Sequence, residues 1–180
     1  MDTLSKIIFK GRSIYSVLTL LCVLMLFASC SNTDDAQRDF ENDAYRLPSG
    51  FTETDAQGNV INEDPDDWRV SPMFAGFVEI DRPAYPNPTT GPTISLEILI
   101  TGIGSVNGID VYTFDENDRL KLLWFDERMP LPVGFSQILI DPVQFAPGGS
   151  GTISGARGLH RVLVFDRRNN LITYGDIKVE

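Results

Sequence analysis

Only two cysteines and one histidine occur among the 180 residues, and each shortage removes a class of chemistry. Cys22 lies inside an apolar N-terminal run and Cys30 ends it, so Ser31 to Glu180 contain no thiol. A fold exported without disulfides is held together by its core alone, and that stretch has no cysteine metal site or thiol nucleophile. His160 is the only imidazole, which excludes any constellation that needs two. At the start of a predicted strand beside Arg161, it reads as a surface or strand-edge residue. Basic residues are also scarce, with 15 Lys and Arg against 25 Asp and Glu and a net charge of −10. Lys6, Lys10, Arg12 and Asp2 precede Cys30, so an even more acidic chain follows it. Such a surface repels phosphate backbones, and no nucleic-acid partner is expected. It also resists adsorption to anionic lipid, so residence at a membrane requires a covalent anchor.

What is present begins with that anchor. A positive segment carrying Lys6, Lys10 and Arg12 leads into an apolar run from Ile14 to Ala28, the length of a signal h-region and short for a membrane span. Phe27-Ala28-Ser29-Cys30 closes it with small residues directly before a cysteine. The arrangement resembles the lipobox of bacterial lipoproteins, which implies a signal peptide over 1–29 and lipidation of Cys30. Each buried CH₂ of an acyl chain contributes about 0.8 kcal/mol, enough for several chains to hold a protein on a bilayer. Ser31 and the pair Asp34-Asp35 resemble the acidic export signal that Bacteroidetes-type bacteria place after the lipidated cysteine of surface lipoproteins. The implied location is the outer membrane of the cell envelope, and the acidic signal implies exposure at the cell surface. An ordinary cleaved secretory signal, with Ala28-x-Cys30 as its small-x-small site, is the competing reading.

From residue 30 to 69 the chain is acidic and aperiodic, which predicts a flexible tether. Trp68, at its end, has a large apolar area and is expected to close one end of the core. Residues 70–180 then change character. Short apolar runs at Met73–Ile80, Thr93–Thr101, Ile109–Phe114, Leu120–Phe125, Phe135–Ile140, His160–Asp166 and Leu171–Val179 alternate with Pro, Gly, Asn and Asp turns. In the second run Ile94, Leu96, Ile98 and Ile100 share one face. Almost no helical period occurs, so the predicted architecture is an all-β, immunoglobulin-like antiparallel sandwich of about seven strands, with a small barrel as the alternative.

One segment carries a second resemblance. Tyr85-Pro86-Asn87-Pro88, followed by Thr89-Thr90-Gly91 and the strand from Thr93, resembles the opening of the C-terminal sorting domain of the type IX secretion system. Val111–Asp115 with Asn117–Leu120, Gly158–Val164 and Leu171–Val179 resemble its later strands in order. The resemblance implies an immunoglobulin-like sandwich and a sorting role. Independently of it, Pro86 and Pro88 fix φ and cannot join a ladder, which suits a strand lead-in at a sheet edge.

Candidate chemistry is sparse. Asp115, Glu116, Asn117 and Asp118, or Asp64, Asp66 and Asp67, offer oxygen ligands for calcium without the spacing of a calcium loop; solvated turn acids are the simpler reading, and no metal or cofactor is expected. Arg167-Arg168 reads as a solvated turn. Trp124 and Phe125 are adjacent, so a regular strand must turn one of them outwards, which makes Trp124 a candidate partner contact. The sequence therefore points to a lipid-anchored, non-catalytic binding or structural-accessory module. Its partners are the membrane, through the N-terminal lipid, and an envelope protein or glycan. A sorting-type domain is the first alternative; a carbohydrate-binding protein or carboxylate-dependent hydrolase is the second.

Overall fold

The computed structural model describes residues 34–149 and 151–180. The signal peptide and Cys30 lie outside the described residues. The chain divides into two units, residues 1–39 and Phe40–Glu180. Of the first, 34–39 are helical and surface-exposed for the most part, with Arg38 3.4 Å from Asp35. The helical residues 34–44 are termed α1.

The second unit is the predicted sandwich. After a two-stranded hairpin, β1 (Glu53–Thr54) and β2 (Val60–Asn62), come β3 (Val78–Tyr85), β4 (Ile94–Ile100), β5 (Ile109–Phe114), β6 (Leu120–Asp126) and β7 (Gly134–Ile140). A short helix α2 (Ile153–Ala156) precedes β8 (Gly158–Phe165) and β9 (Leu171–Val179). One sheet has the order β3-β4-β7 and the other β6-β5-β8-β9, with antiparallel pairing throughout. Two separate sheets exclude the closed barrel.

Periodicity explains the core. Ile94, Leu96, Ile98 and Ile100 on β4 are buried, as are Ile109 and Val111 on β5 and Val162 and Val164 on β8. These inward faces form one apolar layer between the sheets. The β5–β6 and β8–β9 hairpins are each set by an aspartate. Asp115 Oδ1 accepts from the amides of Asn117 and Arg119 at 2.8 and 3.0 Å, and Asp166 Oδ1 accepts from those of Arg168 and Asn170, both at 2.9 Å. Such side-chain turns stabilise the local reversal, and Asp118 and Asn169 take the left-handed conformation inside them.

Two expectations need correction. The first predicted strand is displaced, because Pro72–Phe74 forms a 3-10 turn and pairing begins at Val78 and runs on through Pro83 to Tyr85. Proline is tolerated there because β3 is an edge strand with register shifts at Ile80/Arg82 and Arg82/Tyr85. The second correction concerns the tether. From Phe40 onward it is anchored on the sandwich at separated positions, and its acidic residues hid the few positions that do this. Phe40 and Ala44 bury themselves on Leu163, Leu171 and Tyr174, covering part of the outer face of the four-stranded sheet. Thr54 pairs with Asn87, and Thr54 Oγ1 donates to the Ala84 carbonyl at 2.7 Å.

Trp68 closes the core end as expected, with 5% of its surface exposed. Its amide donates to the Tyr174 carbonyl at 2.7 Å, and its φ of +56° is a conformation that bulky residues rarely adopt. The indole lies directly on Gly175, where a Cβ would stand 2.3 Å from Trp68 Cε2. Gly175→Ala is therefore expected to destabilise the fold by about 2 kcal/mol through overpacking against a constrained ring. Thermal unfolding checks this; an unchanged melting temperature would contradict the packing.

Candidate functional site

The sequence motif at 85–88 is built into the joint between the N-terminal segment and the end of β9. Both of its Xaa–Pro bonds are cis. Asn87 is fully buried, and its side-chain amide meets three backbone groups. Nδ2 donates to the carbonyls of Thr52 and Asp176, each at 2.9 Å, and Oδ1 accepts from the Lys178 amide at 2.9 Å. One side chain thus joins the 50s segment to β9. Tyr85 lies half-buried on β3, its hydroxyl donating to Glu97.

Beside Asn87 is a cluster of charges that sequence reasoning did not assemble. Asp67 accepts from the amides of Thr52 (2.7 Å) and Asp176 (3.0 Å). Burial, with the charges of Asp176 and Asp64 nearby, pushes its carboxyl up to about 7 despite those two donors. Asp176 is buried and holds Arg161 through two bonds, 2.5 Å from Nε and 2.9 Å from Nη2. Arg161 Nη1 donates in turn to the carbonyls of Asp43 and Ala44 at 3.0 and 3.2 Å, satisfying the end of α1. The Tyr174 ring lies 4.9 Å from the Arg161 guanidinium, while Arg69 donates to its hydroxyl at 2.7 Å. Asp64, Asp66 and Asp67 therefore point to different partners rather than to one cation: Asp66 is 3.7 Å from Arg69, and Asp64 Oδ1 takes the Asp66 amide.

A concave surface lies at the head of β8. Two adjoining clefts of about 400 and 490 Å³ share Phe114 and His160 and separate the β5–β6 turn from the head of β8. His160 is half-buried near the start of β8, where it lines both clefts. Its ring stacks on Phe145 at 4.6 Å, Nε2 lies 2.7 Å from the Ala156 carbonyl, and burial lowers its pKa. Lys121 crosses the first cleft to the carbonyls of Gln144 and Ala146. Arg157 borders it on one side, Asp115 and Glu116 on the other. Tyr45 and Leu47 form the outer lip of the second cleft. Strands β5, β6 and β8 supply part of the lining and turns and loops the rest, and it combines apolar surface with charges of both signs. Such a surface suits an elongated, polar ligand with apolar patches.

Trp124 is placed differently from expectation. A register shift between Val111 and Tyr112 leaves Leu123 as an extra residue on β6, so Leu123 and Trp124 both turn toward the core. Phe125 is the exposed member of the pair, at 53%. Arg167 is also engaged, 3.1 Å from Glu127 and 3.9 Å from Asp110.

No protein-family model matches the chain, and no curated protein does either. Among solved structures, AA10A of T. fusca is similar at 12% identity over 51% of this chain and 55% of that one, with a TM-score of 0.33. Beta-glucosidase 3B of Thermotoga neapolitana, in complex with alpha-D-glucose, is similar at 20% identity over 63% of this chain, with a TM-score of 0.32. The chain spans only 15% of that enzyme. Likeness at this level carries no functional information.

Two outcomes follow from the joint. Asn87→Ala leaves three buried backbone groups without partners and is expected to cost about 3 kcal/mol or more, measured by denaturant unfolding. A change below about 0.5 kcal/mol would contradict the joint's role. The second concerns pH. The folded state binds the Asp67 proton more tightly than the unfolded chain, so this group's stabilisation is complete below its ordinary value of 3.8 and is lost as pH rises toward 7. The total is on the order of 2–4 kcal/mol. Asp67→Asn is therefore expected to gain stability relative to wild type from about pH 4 to about pH 7.5. A difference that stays constant with pH would refute the assignment.

Proposed function

We propose that the chain is a lipid-anchored envelope protein, held by acylation of Cys30, that presents its β-sandwich as a non-catalytic binding or structural-accessory module. The observation that carries this reading is the order of segments around Cys30. A positive start and an apolar run end in Phe27-Ala28-Ser29-Cys30, and the sandwich unit begins at Phe40. Ten residues reach at most about 35 Å when fully extended. The anchor therefore holds the unit close to the bilayer, with the lipid supplying the affinity that an acidic surface lacks. The groove between the β5–β6 turn and β8 is the ligand surface in this reading, because it is concave and sets charges of both signs beside apolar surface. An envelope protein segment or a glycan is the partner class.

The motif on which the sorting alternative rests also has a role within the fold. Asn87 makes all its side-chain hydrogen bonds inside the fold, which gives Tyr85–Pro88 a structural reason to exist.

Cys30→Ala is expected to move the protein from the membrane fraction to the soluble fraction. The wild-type mature N-terminus should carry acyl chains by mass spectrometry. A wild-type protein whose first residue is an unmodified cysteine, or a later residue, would contradict the proposal.

A further inference from the structure

The sandwich has four sheet edges, and three of them are protected. An unprotected edge strand exposes a row of amides and carbonyls on which another strand can pair, and proteins usually blunt it with charge, proline, a bulge or a cover. On β3 the protection is Glu79, Asp81, Arg82 and Pro83 together with two register shifts. On β6 it is the bulge at Leu123 with Lys121 and Asp126. The β9 edge is covered along its length: Trp68 and Ser71 donate to Tyr174 and Ile172, and Thr89 donates to Lys178.

The β7 edge has none of these devices. Its sequence, Gly134-Phe-Ser-Gln-Ile-Leu-Ile140, contains no charge and no proline. It pairs with β4 over seven consecutive positions without a register shift, and among the described residues no strand is hydrogen-bonded to its other side. Two large apolar side chains stand outward on it, Phe135 at 70% and Leu139 at 47% exposed. Met129 and Val133, in the segment leading into it, are more than half exposed as well.

We propose that β7 is a self-association edge, on which a second copy of this chain adds its own β7 in antiparallel register. Two arguments select a second copy. Electrostatics comes first: a chain of net charge −10 repels its own copy, so association must use a neutral segment, and β7 is neutral over its whole length. The second is self-complementarity. An antiparallel pair centred on Gln137 places Phe135 opposite Leu139 of the second copy, twice, and Gln137 opposite Gln137. Cross-strand aromatic–aliphatic pairs and a central amide pair are stabilising arrangements on one sheet face. The same twofold joins the two three-stranded sheets into one continuous six-stranded sheet and leaves the groove beside β8 free.

Disulfide trapping in native membranes tests the register, since Gln137→Cys puts two thiols across the twofold. Under mild oxidation that variant is expected to give a dimer band on a non-reducing gel, whereas the wild type and Glu116→Cys are not. Sedimentation of the purified full chain in density-matched detergent supplies the second readout. Gln137→Lys should raise the dimer dissociation constant roughly fivefold, and mixing it with Gln137→Glu should restore association. Residue 137 is exposed and faces Glu97 across the ladder, so the lysine variant is expected to fold normally. A wild-type protein that stays monomeric to about 100 μM overturns the proposal. So does a Gln137→Cys variant that cross-links no more than Glu116→Cys, or only to a different protein.

Discussion

The structure depends on how the outer edge of β9 is closed. Without a disulfide, a small sandwich must satisfy that edge with chain from elsewhere, and here the chain comes from the segment preceding β3 and from the loop that follows it. Asp67 takes the Asp176 amide, Asn87 takes the Lys178 amide and the Asp176 carbonyl, and Trp68 and Ser71 bond to the carbonyls of Tyr174 and Ile172. Each buried backbone group left unpaired would cost about 1–3 kcal/mol, so this row outweighs any single apolar contact at the same edge. Trp68 can lie on β9 only because residue 175 has no side chain.

The same closure organises the polar interior. Arg161 is drawn to Asp176 and reaches past it to the last carbonyls of α1, so charge-assisted hydrogen bonds add to the apolar contact of Phe40 and Ala44 in fixing the helix end to the sheet. Removing one partner of such a buried pair leaves an uncompensated charge, which makes the cluster intolerant of single changes. Asp67 carries the cost of this arrangement, because its carboxyl is buried between backbone donors and two other acids. Burial and hydrogen bonding oppose each other there, and burial prevails.

The sandwich was legible in the sequence where alternation was clean. β4, β5 and β9 lie where the period-two pattern and the flanking turn residues put them. The failures have physical causes. Residues 40–69 look disordered because eleven acids between Ser31 and Arg69 outweigh a few anchors. Those anchors, Phe40, Ala44, Thr52, Thr54 and Trp68, have no period in common, since they dock on strands formed far along the chain. Composition cannot reveal an aspartate whose task is to accept two distant backbone amides. Trp124 was misplaced by assuming a regular strand, and a bulge changes which side chains face inward without leaving a sequence mark. The groove at Phe114 and His160 was also invisible, because it forms between a turn and a strand more than forty residues apart. His160 had only its isolation to recommend it, and the structure uses it as a packed ring.

Native-state hydrogen exchange tests the closure of β9 most directly. If the preceding segment is an integral part of the fold, the amides of Trp68, Ser71, Asp176 and Lys178 open only with global unfolding and share its free energy. Exchange of these four at the rates of an exposed loop, while the amides of β4 and β5 stay protected, would show that the edge is open and the account is wrong.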